Sequence, residues 1–192
     1  MKEKLIRYFS NITTLTPAEI NMLTSGMEVK HFDAGNYVVK AGQVHQNTYF
    51  VLEGLLRQFN NQDGNEITTH FYGKEDWIMS LAPFNQPNFA TENLVCVKSC
   101  SLVIGDETKA QAIFKEYPRL ETVARAVMEK VFASQQQRMQ TFLTNTPEQR
   151  YLNLLATKPD LLQEVPQYQI ASYLGITAES LSRIRKRIAQ KK

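Results

Sequence analysis

Residues 166–188 read PQYQIASYLGITAESLSRIRKRI, two short helical patterns that meet at Gly175. Apolar residues fall at Ile170, Leu174, Ile176, Leu181 and Ile184; Ile170 and Leu174 lie one turn apart on the first pattern, and Leu181 and Ile184 share one face of the second. Ala171 is small where two helices must touch, and Gly175 supplies the left-handed backbone that a β-carbon disfavours. Thr177 is placed to cap the second helix, its hydroxyl accepting from an orphan backbone N–H. This spacing predicts a helix-turn-helix.

With the apolar face turned inward, Ala178, Glu179, Ser182, Arg183 and Lys186 fall on the outer face of the second helix. Their chemistry matches the edges of base pairs. Arg183 can bond bidentately to a guanine, Glu179 can accept from the amine of cytosine, and Ser182 can add a local contact. Thr177, Lys186, Arg187, Lys191 and Lys192 can meet phosphates, and from Arg183 to Lys192 there are six basic residues and no acid. The alternative for such a face is a solvated amphipathic helix whose charges serve solubility. Core spacing, turn glycine, cap and basic tail together favour double-stranded DNA as the partner.

Working outward, charge divides the chain unevenly. Residues 146–192 carry 8 Lys or Arg against 4 acids, and residues 1–145 carry 14 against 15, so the basic piece is C-terminal. That asymmetry fits a nucleic-acid-binding module joined to a near-neutral partner domain. MKEKLIRYFSNI lacks the apolar run of a signal peptide and no segment reaches the length of a membrane span, so a cytoplasmic protein without a membrane partner is expected. Cys96 and Cys100 are too few for a disulfide scaffold or a metal site, which leaves packing as their expected role.

Before the reader, the patterns change twice. Thr16-Pro17-Ala18-Glu19 has the form of a capping box opening a short helix docked by Leu15, Ile20 and Leu23. From Glu28 to Ile104 short extended runs follow one another (VKHF, NYVVKAG, YFVLEGLLRQF, EITTHFY, LVCVKS, SLVIGD), punctuated at Asp33-Ala34-Gly35, Gly42, Glu53-Gly54 and Asp63-Gly64. The helical period then returns over Lys109–Phe114 and, after Pro118, from about Leu120 to Leu143. Leu120, Val123, Val127, Val131, Phe132, Met139, Phe142 and Leu143 form an apolar stripe along this long element. A stripe of such length asks for a partner helix, most simply its own copy about a two-fold axis, although packing on its own roll is the alternative. Thr146-Pro147-Glu148-Gln149 breaks and re-caps the chain. The expected fold is therefore α+β: an antiparallel, jelly-roll-like β-roll with flanking helices over residues 1–118, a long dimerisation helix over 119–145, and a helix-turn-helix domain over 146–192.

AGNYVVKAGQVHQNTYFVLEGLLRQF, with its hairpin bounded by Gly35 and Gly42 and its aromatic strand ending at Gly54, resembles the cyclic-nucleotide-binding-domain pattern. Together with ITAESLSRIRKRI it is similar to the Crp/Fnr family of bacterial transcription regulators, and the resemblance spans nearly the whole chain. It implies a homodimer paired through Leu120 to Leu143, a palindromic site with TTGA-like half-sites read by Glu179, Ser182 and Arg183, and RNA polymerase as the partner any activation would require. The sequence itself assigns no surface to that contact. The β-hairpin wing that often follows the recognition helix in relatives is expected to be absent, which would leave affinity more dependent on Lys186, Arg187, Lys191 and Lys192.

The sensor departs from the family pattern. Where relatives that bind cyclic AMP place a Gly-Glu pair and an Arg-Ser pair, this chain has Met79-Ser80 and Ala90-Thr91. A semi-buried phosphate needs a positive partner or several donors, which Ala90 cannot supply. Cyclic AMP is therefore not the expected effector, and no cofactor is predicted. An iron–sulfur cluster needs four thiolates and the chain has two cysteines. Arg57, Gln58, Ser80, Thr91, Arg125 and His70 are candidate polar anchors for a small acid, or ordinary surface and rim residues. His31, His45 and His70 are too scattered to nominate a haem ligand. No His-x-His cluster, nucleophile–base pair or phosphate-cradling loop occurs, so an enzyme is not expected. The readings that remain open beside this one are a cyclic-AMP-responsive regulator and a ligand-binding module with a vestigial reader.

Overall fold

The structure, a computed structural model, describes residues 2–25, 27–45, 47–79 and 89–190. It divides into two compact units, one formed by Met1–Gln58 and Phe71–Phe132, the other by Phe59–His70 and Ala133–Lys192.

The first unit opens with helices α1 (Lys2–Ser10) and α2 (Pro17–Ser25) and continues into strands β1 (Glu28–Phe32), β2 (Tyr37–Val39), β3 (Asn47–Glu53), β4 (Leu56–Gln62), β5 (Asn65–Tyr72), β6 (Trp77–Ile78), β7 (Asn93–Cys96) and β8 (Cys100–Asp106). Two four-stranded sheets result, ordered β1-β8-β3-β6 and β2-β7-β4-β5. β3 explains the layering. Its run Tyr-Phe-Val-Leu is buried at every position because both faces of its sheet are covered. Tyr49 and Val51 point between the sheets with Leu56, Tyr72, Ile78, Leu94 and Leu102. Phe50 and Leu52 point the other way, into Leu5, Tyr8 and Phe9 of α1, with Val103 beside them. Successive side chains on a strand alternate faces, so one apolar run serves two cores.

Gly54 turns the chain from β3 into β4 with φ of 103°, and a β-carbon there would come within 2.5 Å of the Ser99 carbonyl oxygen. Only glycine fits this corner. The β4–β5 hairpin closes on Asp63 and Gly64, with φ of 51° and 81°, the positive pair that a two-residue hairpin turn demands.

After α3 (Glu107–Glu116), α4 runs from Pro118 to Thr144. Leu120, Val123 and Val127 are buried in the core formed with α1 and the outer face of the β3 sheet. Arg119 pins the start of the helix by donating to both carboxylate oxygens of Glu19 at 3.1 and 3.0 Å. Glu19 also closes the expected capping box, accepting from the Thr16 backbone N–H at 2.7 Å. That backbone bond, ahead of Arg119, holds the Glu19 carboxyl below the ordinary carboxylate range. The apolar stripe thus divides: Phe132, Met139 and Leu143 are exposed. Among the described residues no helix is long and apolar enough to cross a membrane.

In the second unit, α5 (Pro147–Thr157), α6 (Leu161–Glu164), α7 (Gln167–Tyr173) and α8 (Ala178–Gln190) follow α4. Thr146 and Gln149 cap α5 reciprocally, a capping box with Pro147 inside the first turn. Tyr151, Leu154, Leu161, Val165, Ile170, Ala171, Leu174, Leu181 and Ile184 are among its buried apolar residues. The hairpin tip belongs to this unit too. The Ser172 hydroxyl accepts from the Thr68 backbone N–H at 2.8 Å and donates to the Glu66 carbonyl at 3.2 Å. Arg138 donates to the Thr69 carbonyl and lies over the Tyr173 ring at 5.4 Å. These side chains satisfy backbone groups that an edge strand otherwise leaves open.

Candidate nucleic-acid interface and sensor interior

The turn between α7 and α8 is set by Gly175, whose φ is 66°. Leu174, at the end of α7, and Ile176 flank it, and the Ile176 N–H donates to the Ala171 carbonyl at 3.0 Å. Thr177 then starts α8, its hydroxyl accepting from the Ser180 backbone N–H at 3.2 Å. Of the residues expected inside, Ile170, Ala171, Leu174, Leu181 and Ile184 are buried and Ile176 is half-buried. Glu179, Ser182, Arg183 and Lys186 are exposed, as is Thr177.

The outward face is organised rather than loose. Glu179 sits in the first turn of α8, where its own backbone N–H, the Thr177 hydroxyl and the charge of Arg183 hold its carboxyl below the ordinary range. Arg183 reaches the Ser180 hydroxyl at 3.5 Å. The Glu179 carboxylate and the Arg183 guanidinium are therefore close enough to interact on the exposed face of the helix. Arg187 pairs with Glu148 of α5, so its side chain is engaged within the unit. Lys191 and Lys192 lie outside the described residues.

Of the sensor candidates, Ser80 also lies outside the described residues. Arg57 and Gln58, on β4, are only 3% and 7% exposed, which sets them inside rather than on a rim. Gln58 joins a polar group between the sheets: the Tyr72 hydroxyl donates to its side-chain oxygen at 2.6 Å, and its amide donates to Glu92. Thr91 is exposed beside Glu92, Ala90 is buried, and Arg125 is exposed on α4. These hydrogen bonds bring Gln58, Tyr72 and Glu92 together, of which the sequence singled out only Gln58. Tyr72 and Glu92 carried no local signal because their partner is 14 and 34 residues away. Elsewhere in the first unit, His45 is buried and its Nε2 lies 3.2 Å from the Tyr49 hydroxyl. Burial pushes its pKa down. Cys96 and Cys100 are free and buried. Their thiols share a hydrogen bond that, together with burial, raises the pKa of Cys96, and that lowers the pKa of Cys100 against the opposing effect of burial. Among the described residues no group of three or more His, Cys, Asp or Glu is placed to hold a metal ion.

The described residues thus form a two-sheet roll, a long helix and a C-terminal pair of helices joined by a glycine turn. Residues 29–117 match the cyclic nucleotide-binding domain family. The fold is similar to that of a solved structure from the Crp/Fnr family. A chain from Eubacterium rectale assigned to the transcriptional regulators of that family superposes with a TM-score of 0.69 at 16% identity, over 92% of this chain and 85% of that one. The c-di-GMP-responsive global regulator CLP of Xanthomonas campestris gives 0.67 at 15% identity, over 90% and 91%. The catabolite activator protein of Thermus thermophilus gives 0.52 at 20% identity, over 92% and 85%. No curated protein matches the sequence.

Proposed function

We propose that this chain is a DNA-binding transcription regulator that acts as a homodimer and is not controlled by cyclic AMP. The observation that carries the reading is the outer face of α8, where Glu179, Ser182 and Arg183 are exposed on a capped helix whose Leu181 and Ile184 are buried beneath them. Two such helices, held about 34 Å apart by a two-fold axis, enter successive major grooves of a palindromic site. Arg183 and Glu179 read a G·C pair in each TTGA-like half-site, and Ser182 adds a local contact. Thr177, Lys186, Lys191 and Lys192 meet phosphates, and Arg187 does so on leaving Glu148.

Pairing runs along the exposed half of α4. Phe132, Met139 and Leu143 present large apolar side chains there, and Gln136, Met139, Gln140 and Leu143 line a shallow groove on the same helix. Apolar surface of this kind gains by burial against a second copy. The absence of cyclic AMP control is supported by Ala90, a buried methyl where a phosphate needs a cation.

Selection of bound sequences from a random DNA pool by the purified chain, with and without cyclic AMP, tests the reading. A two-fold motif with a G·C pair in each half-site, unchanged by the nucleotide, is expected. A motif that appears only with cyclic AMP would leave the reader and overturn the sensor assignment. Arg183→Ala should lose about 1–3 kcal/mol per half-site and relax the preference at one base pair. Equal loss on every sequence would remove Arg183 from base reading.

A further inference from the structure

Arg150, in the first turns of α5, reaches three chain segments at once. Its Nε donates to the Leu174 carbonyl at 3.1 Å, and its Nη1 donates to the carbonyls of Phe142 at 3.1 Å and Asn145 at 2.9 Å. Phe142 is in the last turn of α4, Asn145 follows that helix, and Leu174 closes α7. The last carbonyls of a helix have no partner within it and form the negative end of its dipole. One guanidinium therefore satisfies the ends of two helices with charge-assisted bonds.

Phe142 extends the same junction. The Arg150 guanidinium lies over its ring at 4.7 Å. The ring edge also lies against the turn, since a β-carbon on Gly175 would come within 2.8 Å of it. Gly175 is thus glycine for two reasons, its positive φ and the ring packed on it. Guanidinium, ring and turn link the last turn of α4 to the start of α8, which bears Glu179, Ser182 and Arg183.

We infer that Arg150 is a positioning residue: it fixes the angle between α4 and the reading helix, and so sets the spacing of half-sites that a dimer accepts. The inference rests on the two-fold DNA reading proposed above. The geometry needs arginine because Nε and Nη1 diverge from a rigid plane toward carbonyls of different segments. A lysine ammonium keeps the charge and the apolar stem but is a single point on a flexible chain. The angle matters because a two-fold axis doubles any error. A tilt of about 10° over about 17 Å, half the separation of two readers, moves each by about 3 Å, close to the 3.4 Å rise of one base pair.

The experiment uses the full-length chain and a DNA library in which two copies of the half-site selected by wild type are separated by spacers of varied length. Wild type should select one spacer. Arg150→Lys should keep the half-site sequence, accept spacers one base pair longer and shorter, and bind the wild-type spacing about tenfold more weakly. Thr146→Ala is the control for stability alone. It removes the capping hydroxyl of the same turn but none of the three carbonyl bonds, so it should lower the melting temperature and keep the single spacer. Arg150→Lys selecting one spacer as sharply as wild type would overturn the inference, as would equal broadening by Thr146→Ala. If Arg150→Lys does not fold, Phe142→Leu, which strips the ring from the junction and leaves its carbonyl, is read in the same way. A wild-type chain that selects no two-fold motif removes the DNA reading itself, whereas a wild-type motif whose spacing the variants keep removes only the role of Arg150.

Discussion

Leu120, Val123 and Val127 in the first half of α4 are spaced by three and four residues, and Phe132, Met139 and Leu143 in the second by seven and four, all spacings that return to one helix face, but only the first set is buried. The first set meets α1 and the outer face of the β3 sheet. The second meets solvent, with Phe132 61% and Leu143 72% exposed. Periodicity shows that a helix face seeks burial and is silent about what provides it. Under the proposed pairing the same stripe supports two kinds of energetics, one belonging to the folded monomer and one to association.

Leu120→Ala should break this comparison most severely. A fully buried leucine truncated in a packed core costs about 2–5 kcal/mol, depending on how far the cavity collapses. The loss should appear in denaturant unfolding as a lower midpoint that does not vary with protein concentration. A variant as stable as wild type would mean that the first half of α4 does not depend on the roll.

Phe132→Ala should act on the other half with a different signature. An exposed residue contributes little to monomer stability, within about 0.5 kcal/mol. At a two-fold interface it counts twice, so dimer dissociation should become easier by about 2 kcal/mol or more. Sedimentation across a concentration series separates the two effects. A dimer unchanged by Phe132→Ala together with Leu143→Ala would place association elsewhere and return the stripe to an ordinary exposed helix.

The division of α4 marks the limit of what the sequence made legible. Features set within a few residues could be read directly: the capping boxes at Thr16–Glu19 and Thr146–Gln149, the glycine turn at Gly175, the Asp63-Gly64 hairpin and the buried positions of α7 and α8. Each depends on local backbone chemistry or on one helical period. Features set by distant partners could not be read. β6, only Trp77–Ile78, is a strand because it pairs with Tyr49 and Phe50 of β3. Gln58 is buried because Tyr72 and Glu92 satisfy it. Arg150 looked like any residue at the start of a helix. Its role depends on Leu174, 24 residues further on.

The smallest expected effect asks whether the roll that covers the first half of α4 can be weakened without touching the second half. His45 is buried against Tyr49, and burial lowers its pKa below the ordinary value. The unfolded chain therefore takes up this proton first as the pH falls. The contribution of neutral His45 is fully present above the unfolded value of about 6.5 and is lost as pH falls from there toward the folded pKa, with a slope of at most about 1.4 kcal/mol per pH unit. From Met128 to Leu143 the ionisable side chains are Glu129, Lys130 and Arg138. No histidine lies among them, so association through this half should not follow the titration of His45. Chemical denaturation at about pH 7 and 5.5 should show wild type losing stability and His45→Gln losing less. Dissociation measured over the same range should stay flat. A wild-type chain equally stable at both pH values would mean that the imidazole is not held neutral, and that the roll and the bare half of α4 respond alike.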